Sequence, residues 1–150
     1  MRPIEDYAML GDTRTAALTA SDGSIDWMCI PRFDGRPVFG RLVGGAEAGS
    51  FRLGPAGPAT VHARRYRPGT ATAETTWQTQ GGRLTLTEAM VGEVAGRLLP
   101  TTLLVRRLTA ESHPIEATLL FDPRLGEGRR RPRGEHRGTS WSVRGARATP

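Results

Sequence analysis

Residues 21–35 read SDGSIDWMCIPRFDG. Ser21-Asp22-Gly23 stands between two strand-like runs, TAALTA (15–20) and SIDWMCI (24–30). An Asp-Gly pair between such runs is a strong hairpin signal, because Gly supplies the positive φ that a tight turn needs. In the second run Ile25, Trp27 and Cys29 fall on one face, and Asp26, Met28 and Ile30 on the other. Both faces carry apolar residues, so burial is predicted on both sides. Ile25 and Trp27 are the expected core residues of the hairpin. Pro31 ends the run, since it cannot donate to a sheet ladder. PRFDGRP then reads as a loop.

The same period of two continues along the chain. SFRL (50–53), VHARRYR (61–67), TATAETTWQT (70–79), RLTLTEAMV (83–91), TLLVRRLTA (102–110), IEATLLFD (115–122) and TSWSVRG (139–145) are further strand candidates. Gly81-Gly82 marks a second hairpin, and GPAGPA (54–59) a turn. Val38 and Leu42, four apart in VFGRLV, suggest one helical turn. Eight or nine short strands with almost no helix predict an all-β fold, an antiparallel sandwich. The 19 Gly and 11 Pro, against a hydrophobic fraction of only 37%, agree with many turns and short strands.

At 150 residues and 16.3 kDa the chain is one domain's worth of sequence. It has no apolar run near 18 residues, which excludes a transmembrane helix. No charged-then-apolar leader opens the chain, and the single cysteine, Cys29, excludes a disulfide framework. The expected location is therefore cytoplasmic. All 21 basic residues are arginine. Residues 124–147 hold eight of them against two glutamates, which accounts for the whole net charge of +6. The remainder, thirteen arginines against thirteen acids, is neutral. Arg without Lys, beside abundant Ala, Gly and Pro, fits a GC-rich coding bias. It weakens any inference from charge to nucleic acid. The Arg-rich segment 124–138 is expected to be a solvated loop, because a nucleic-acid interface usually adds stacking aromatics or a recognition helix.

The chemical candidates weigh mostly toward structure. Asp22, Asp26 and Asp34 lie close in sequence, and paired carboxylates perform glycoside hydrolysis. Asp22 and Asp34 nonetheless precede glycines and read as turn residues, as does Asp12. His62, His113 and His136 are scattered without ligand spacing, so no metal is expected. Cys29 has no histidine near it in sequence and reads as a buried, inert thiol. No glycine-rich phosphate loop is present.

A resemblance extends this reading. Pro3-Ile4-Glu5-Asp6-Tyr7-Ala8, Leu10-Gly11-Asp12 and Thr15-Ala16-Ala17-Leu18 resemble the opening of trehalase-like and glucoamylase-like proteins of glycoside hydrolase family 15. So do Asp22-Gly23-Ser24-Ile25-Asp26-Trp27, Cys29 and Pro31-Arg32-Phe33-Asp34. Phe39, Leu42 and Gly49, then Arg65-Tyr66-Arg67-Pro68-Gly69-Thr70 with Glu74-Thr75, are similar to the blocks that follow in that family. Leu104-Val105-Arg106 and the run Leu119 to Asp122 continue the likeness. Departures are Met28, Gly35-Arg36-Pro37 and Glu88, where the family more often has Leu, Ser-Pro and Asp.

The resemblance implies an N-terminal β-sandwich of the super-sandwich type, residues 1–150, incomplete at its C-terminal end. It implies a partner domain in the same polypeptide, an (α/α) toroid that carries two catalytic glutamates and is absent here. The whole would be an inverting hydrolase of α-glucosides, trehalose or malto-oligosaccharides, with no cofactor. This chain alone would be inactive, with no catalytic residue. Within it, Asp22, Gly23, Ile25 and Trp27 are expected to be hairpin scaffold. Arg32, Phe33 and Asp34 are expected to face outward, as a domain interface or at the substrate mouth. Two other readings stay open: a free-standing carbohydrate-binding or interaction module, and, more remotely, a basic nucleic-acid-binding protein.

Overall fold

The computed structural model describes residues 2–125 and the strands at 133–137 and 140–144, the side chains of the last two strands excepted. Twelve strands run through the described residues. They are β1 (Tyr7–Gly11), β2 (Ala16–Ala20), β3 (Ser24–Cys29), β4 (Pro37–Phe39), β5 (Ser50–Pro55), β6 (Ala59–Tyr66), β7 (Ala73–Thr79), β8 (Gly82–Val94), β9 (Arg97–Ala110), β10 (Ala117–Asp122), β11 (Arg133–Arg137) and β12 (Ser140–Arg144). One helical turn, α1, spans Arg41–Gly44. The first sheet has the order β1-β2-β3-β5-β10, with β4 also on β3; the second runs β6-β7-β8-β9; β11 and β12 pair as a ribbon. Every pairing is antiparallel.

The two larger sheets bury their facing sides against each other. One core cluster joins Leu10, Ala17, Ile25, Met28, Val38 and Phe39 of the first sheet to Ala73 and Met90 of the second. The other gathers Trp77, Leu84 and Leu86 of the second sheet, with Leu53 of the first packed on them. Alternation along β8 explains the facing side: Leu84, Leu86, Glu88 and Met90 are buried while the residues between them are half-buried. The fold is all-β, and the layers are those of a sandwich.

Three strands were not legible in the sequence. Tyr7–Gly11 has no β-branched residue and extends because all five of its positions pair with β2. Val38 and Phe39 belong to β4 and enter the core, so the predicted helix begins only at Arg41. Arg133–Arg137, placed above in a loop, is a strand paired with β12; the rest of that loop after Leu125 lies outside the described residues.

The alternation predicted for β3 also needs correcting. Leu18 pairs with Trp27 and Thr19 with Ile25, so Asp26 is an extra, bulged residue. The bulge resets the pleat and sends Ile25 and Met28 into one core. Trp27 is left half-buried. The tryptophan that fills the space between the sheets is Trp77, 2% exposed, whose indole N–H donates to the Ser21 carbonyl at 2.9 Å.

One buried cation, Arg106, and one half-buried cation, Arg64, tie the layers together. Arg106 of β9 donates to Glu88 Oε1 at 2.8 Å, to the Phe51 carbonyl at 3.0 Å and to the Gly23 carbonyl at 2.5 Å. Its guanidinium also lies 4.4 Å from the centre of the Phe51 ring. The other Glu88 oxygen accepts from Thr19 at 2.9 Å. Arg64 of β6 reaches the carbonyls of Asp6 and Thr19. Removing one partner of a buried pair strands the other charge, so Glu88→Ala is expected to cost about 3–5 kcal/mol, read as a lowered urea midpoint with an unchanged slope. Gly23 has φ +78°, and a Cβ there would lie 2.1 Å from the Leu53 carbonyl oxygen. Gly23→Ala is therefore expected to lower the thermal midpoint more than Gly57→Ala, where a Cβ meets nothing within 4 Å.

Candidate functional site

The β2–β3 turn is built by Asp22. Its Oδ1 accepts from the Ser24 amide at 3.0 Å and the Ser24 hydroxyl at 2.7 Å, and its Oδ2 from Arg2 at 2.6 Å. This is an Asx turn closed by an ion pair. Burial pushes the Asp22 carboxyl upward, but the two Ser24 bonds, with the charges of Arg2 and Arg52, outweigh it and hold the group below its ordinary value. Gly23 follows in the left-handed region, and Ile25 is fully buried behind it.

The loop after β3 has a fixed base and an open tip. The Phe33 amide donates to the Arg14 carbonyl at 3.0 Å, and the Gly35 amide to the Arg32 carbonyl at 3.0 Å. The turn that receives Phe33 is itself closed by Asp12, whose Oδ1 accepts from the Arg14 and Thr15 amides at 3.0 and 2.9 Å. Arg14 extends to the Thr101 carbonyl in β9 at 3.0 Å. The Thr15 hydroxyl donates to the Cys29 carbonyl. On that base Phe33 stands 68% exposed. Arg32 and Asp34 pair across it at 3.1 Å, both well exposed. The Arg32 hydrogen bond, more than any other influence, holds the Asp34 carboxyl below its usual range. The arrangement presents a guanidinium, an aromatic face and a carboxylate together, on backbone that is already ordered.

The remaining sequence candidates separate. Asp12, Asp22, Asp26 and Asp34 each serve a different partner set: the Arg14–Thr15 turn, Ser24 with Arg2, Tyr7, and Arg32. No two of them are brought together as an acid–base pair by these contacts. Cys29 is buried, and burial, then the Asp34 charge, pushes its thiol up from its ordinary value. A thiol so placed is a poor nucleophile. His62 and His113 are exposed, while the His136 side chain lies outside the described residues. Among the described residues no group of three or more His, Cys, Asp or Glu is gathered to hold a metal. No helix among them is long and apolar enough to cross a membrane.

Sequence reasoning missed Glu88 and Arg106 as a buried pair. The signal for Glu88 was present: it falls on the Leu84, Leu86, Met90 face of an alternating strand. Arg106 likewise falls between Leu104 and Leu108, which pack on the two cores.

A trehalase-like N-terminal family model matches residues 1–148, and the chain belongs to that family. Among characterised proteins, it is 48% identical over 89 residues to a trehalase of Mycobacterium tuberculosis and, equally, to one of Mycolicibacterium smegmatis, which covers 59% of this chain and 13% of each relative. It is 29% identical over 132 residues to a trehalase of Thermoplasma volcanium, covering 86% of this chain and 21% of the relative. The chain thus matches about a fifth or less of the length of these relatives. No solved structure matches it.

Asp22 tests the turn. Because its folded-state pKa is depressed, its contribution to stability is present above the ordinary carboxylate pKa and is lost as pH falls through the folded value. Asp22→Asn is expected to lower the urea midpoint at neutral pH and to flatten its fall between about pH 5 and pH 3.

Proposed function

We propose that this chain is the N-terminal scaffold domain of an inverting α-glucoside hydrolase of glycoside hydrolase family 15. The single observation that carries the reading is the family match over residues 1–148, in relatives several times longer than the match. The catalytic partner is an (α/α) toroid in the same polypeptide. There one carboxylic acid protonates the leaving oxygen and a second carboxylate activates water, at a separation of about 6.5–9.5 Å. The relatives' name favours trehalose over malto-oligosaccharides as the substrate. Inversion releases one glucose as the β anomer. The chain by itself is inactive. Its single, buried thiol suits a cytoplasmic setting.

Within that assembly Arg32, Phe33 and Asp34 are proposed as the contact with the toroid. An aromatic 68% exposed on an ordered loop is a suitable anchor for a neighbouring domain. The Arg32–Asp34 pair, exposed on its own, gains strength once the contact excludes water.

The native polypeptide is expected to be several times heavier than 16.3 kDa by intact mass and to release glucose from trehalose faster than from maltose. The 150-residue chain is expected to release none. A native mass near 16.3 kDa would leave a free-standing carbohydrate module as the surviving reading. In the full polypeptide Arg32→Ala is expected to lower the thermal midpoint while KM and kcat hold. A raised KM would instead place the loop at the substrate mouth.

A further inference from the structure

Asp26, the bulged residue of β3, is not used by the hairpin or by the proposed interface. Its side chain is buried, the residue being 3% exposed, and it lines a cleft of about 460 Å³ between β1, β3 and α1. Arg2, Tyr7, Arg41, Leu42 and Ala46 line the same cleft. The volume falls within the roughly 300–1,000 Å³ of small-molecule sites.

The two carboxylate oxygens of Asp26 are treated differently. Oδ2 accepts the Tyr7 hydroxyl at 2.8 Å. Oδ1 is buried with no hydrogen-bond partner. Arg41 Nη1 stands 3.9 Å from it, beyond hydrogen-bond range. The Arg41 side chain is ion-paired with Asp26 at that distance and 44% exposed, so a change of its rotamer toward solvent would open Oδ1 to a ligand atom. A buried carboxylate oxygen without a donor is costly, and a site that leaves one invites a donor from outside.

The charges around the cleft select the class of ligand. A cation would meet Arg41 and Arg2 on the way to Asp26. An anion would meet Asp26 itself. Arg2 is already paired with Asp22, so Asp26 and Arg41 make the centre neutral. Tyr7 keeps its proton, since burial, then the Asp26 hydrogen bond and charge, push its pKa up to about 12. One strong acceptor and one strong donor, 3.9 Å apart in a cleft also lined by Leu42 and Ala46, match two adjacent hydroxyls on a compact ring.

We propose that the Asp26–Arg41 cleft binds a neutral polyhydroxylated ligand, a hexose unit. One hydroxyl donates to Asp26 Oδ1, and its neighbour accepts from the Arg41 guanidinium. The proposal stands on the cleft itself and is independent of the hydrolase reading; either can fail without the other.

Hydrogen-exchange mass spectrometry on the full polypeptide tests it, because the readout is local and D-glucose is not itself hydrolysed. Saturable protection with added D-glucose is expected in peptides covering 7–11 and 40–48. Asp26→Asn and Arg41→Ala are each expected to weaken the apparent affinity about tenfold or more, with exchange in β8 unchanged as the check on folding. Protection that is absent, or that keeps its affinity in Arg41→Ala, overturns the proposal. Arg41 is surface-placed, so that variant decides the matter even where Asp26→Asn perturbs the strand. Protection by arginine hydrochloride in place of D-glucose overturns it too, and makes the cleft a socket for a cationic side chain.

Discussion

Arg106 lies between two sheets with its side chain 3% exposed, and its neighbours are chosen accordingly. It gives one edge to Glu88 on the adjacent strand and the other to two carbonyls, Gly23 and Phe51, on the opposite sheet. Glu88 passes its second oxygen to Thr19. A charge so far from water is tolerable only when it is paired and hydrogen-bonded, and all three guanidinium nitrogens of Arg106 have an acceptor. The constraint therefore runs outward from the pair. It sets which face of β8 and β9 turns inward, since a slip of one residue would turn both charges to the other face. It also places the Asp-Gly turn and β5 over β8 and β9, because their carbonyls are the receivers.

That clasp gives the β2–β3 turn its position, and the turn gives the loop beyond it a start. The turn carries a glycine whose missing Cβ lets the Leu53 carbonyl approach, and the first sheet closes on it. Trp77 donates to the carbonyl one residue before Asp22, so the second sheet holds the same turn from below. The loop Arg32 to Asp34 then leaves a strand that is paired with β2, β4 and β5 and buried in the core. Its base is hydrogen-bonded to the Asp12 turn, and only its side chains are open. A rigid presentation of exposed groups is what a domain contact needs, since little ordering entropy is left to lose on docking.

The bulge at Asp26 has two effects at once. One extra residue sends Ile25 and Met28 into the same core, and it sets Asp26 against Tyr7 and Arg41. A strand with perfect alternation would have put Trp27 in the core and left the cleft without its carboxylate. Bulges re-aim side chains in this way, and the one in β3 accounts for the largest difference between the expected and observed hairpin.

Local rules in the sequence were enough for several features. Asp22-Gly23 specified a turn, Gly81-Gly82 a hairpin, and the alternation of Leu84 and Leu86 an inward face, because each depends only on backbone preference or a period of two. The exposed Arg32-Phe33-Asp34 loop followed from Pro31 and Gly35 for the same reason. The family was legible from the wording of residues 21–35 and the blocks around it. Tertiary structure alone decided the rest. Tyr7–Gly11 and Pro37–Phe39 are strands through the neighbours they pair with, not through their own propensities. The Asp26 bulge, the exchange of Trp27 for Trp77 in the core, and the burial of Glu88 with Arg106 depend on partners 50 and more residues away or on register across a sheet. No local period carries that information, since a strand's pattern says which residues share a face and not what the face will meet.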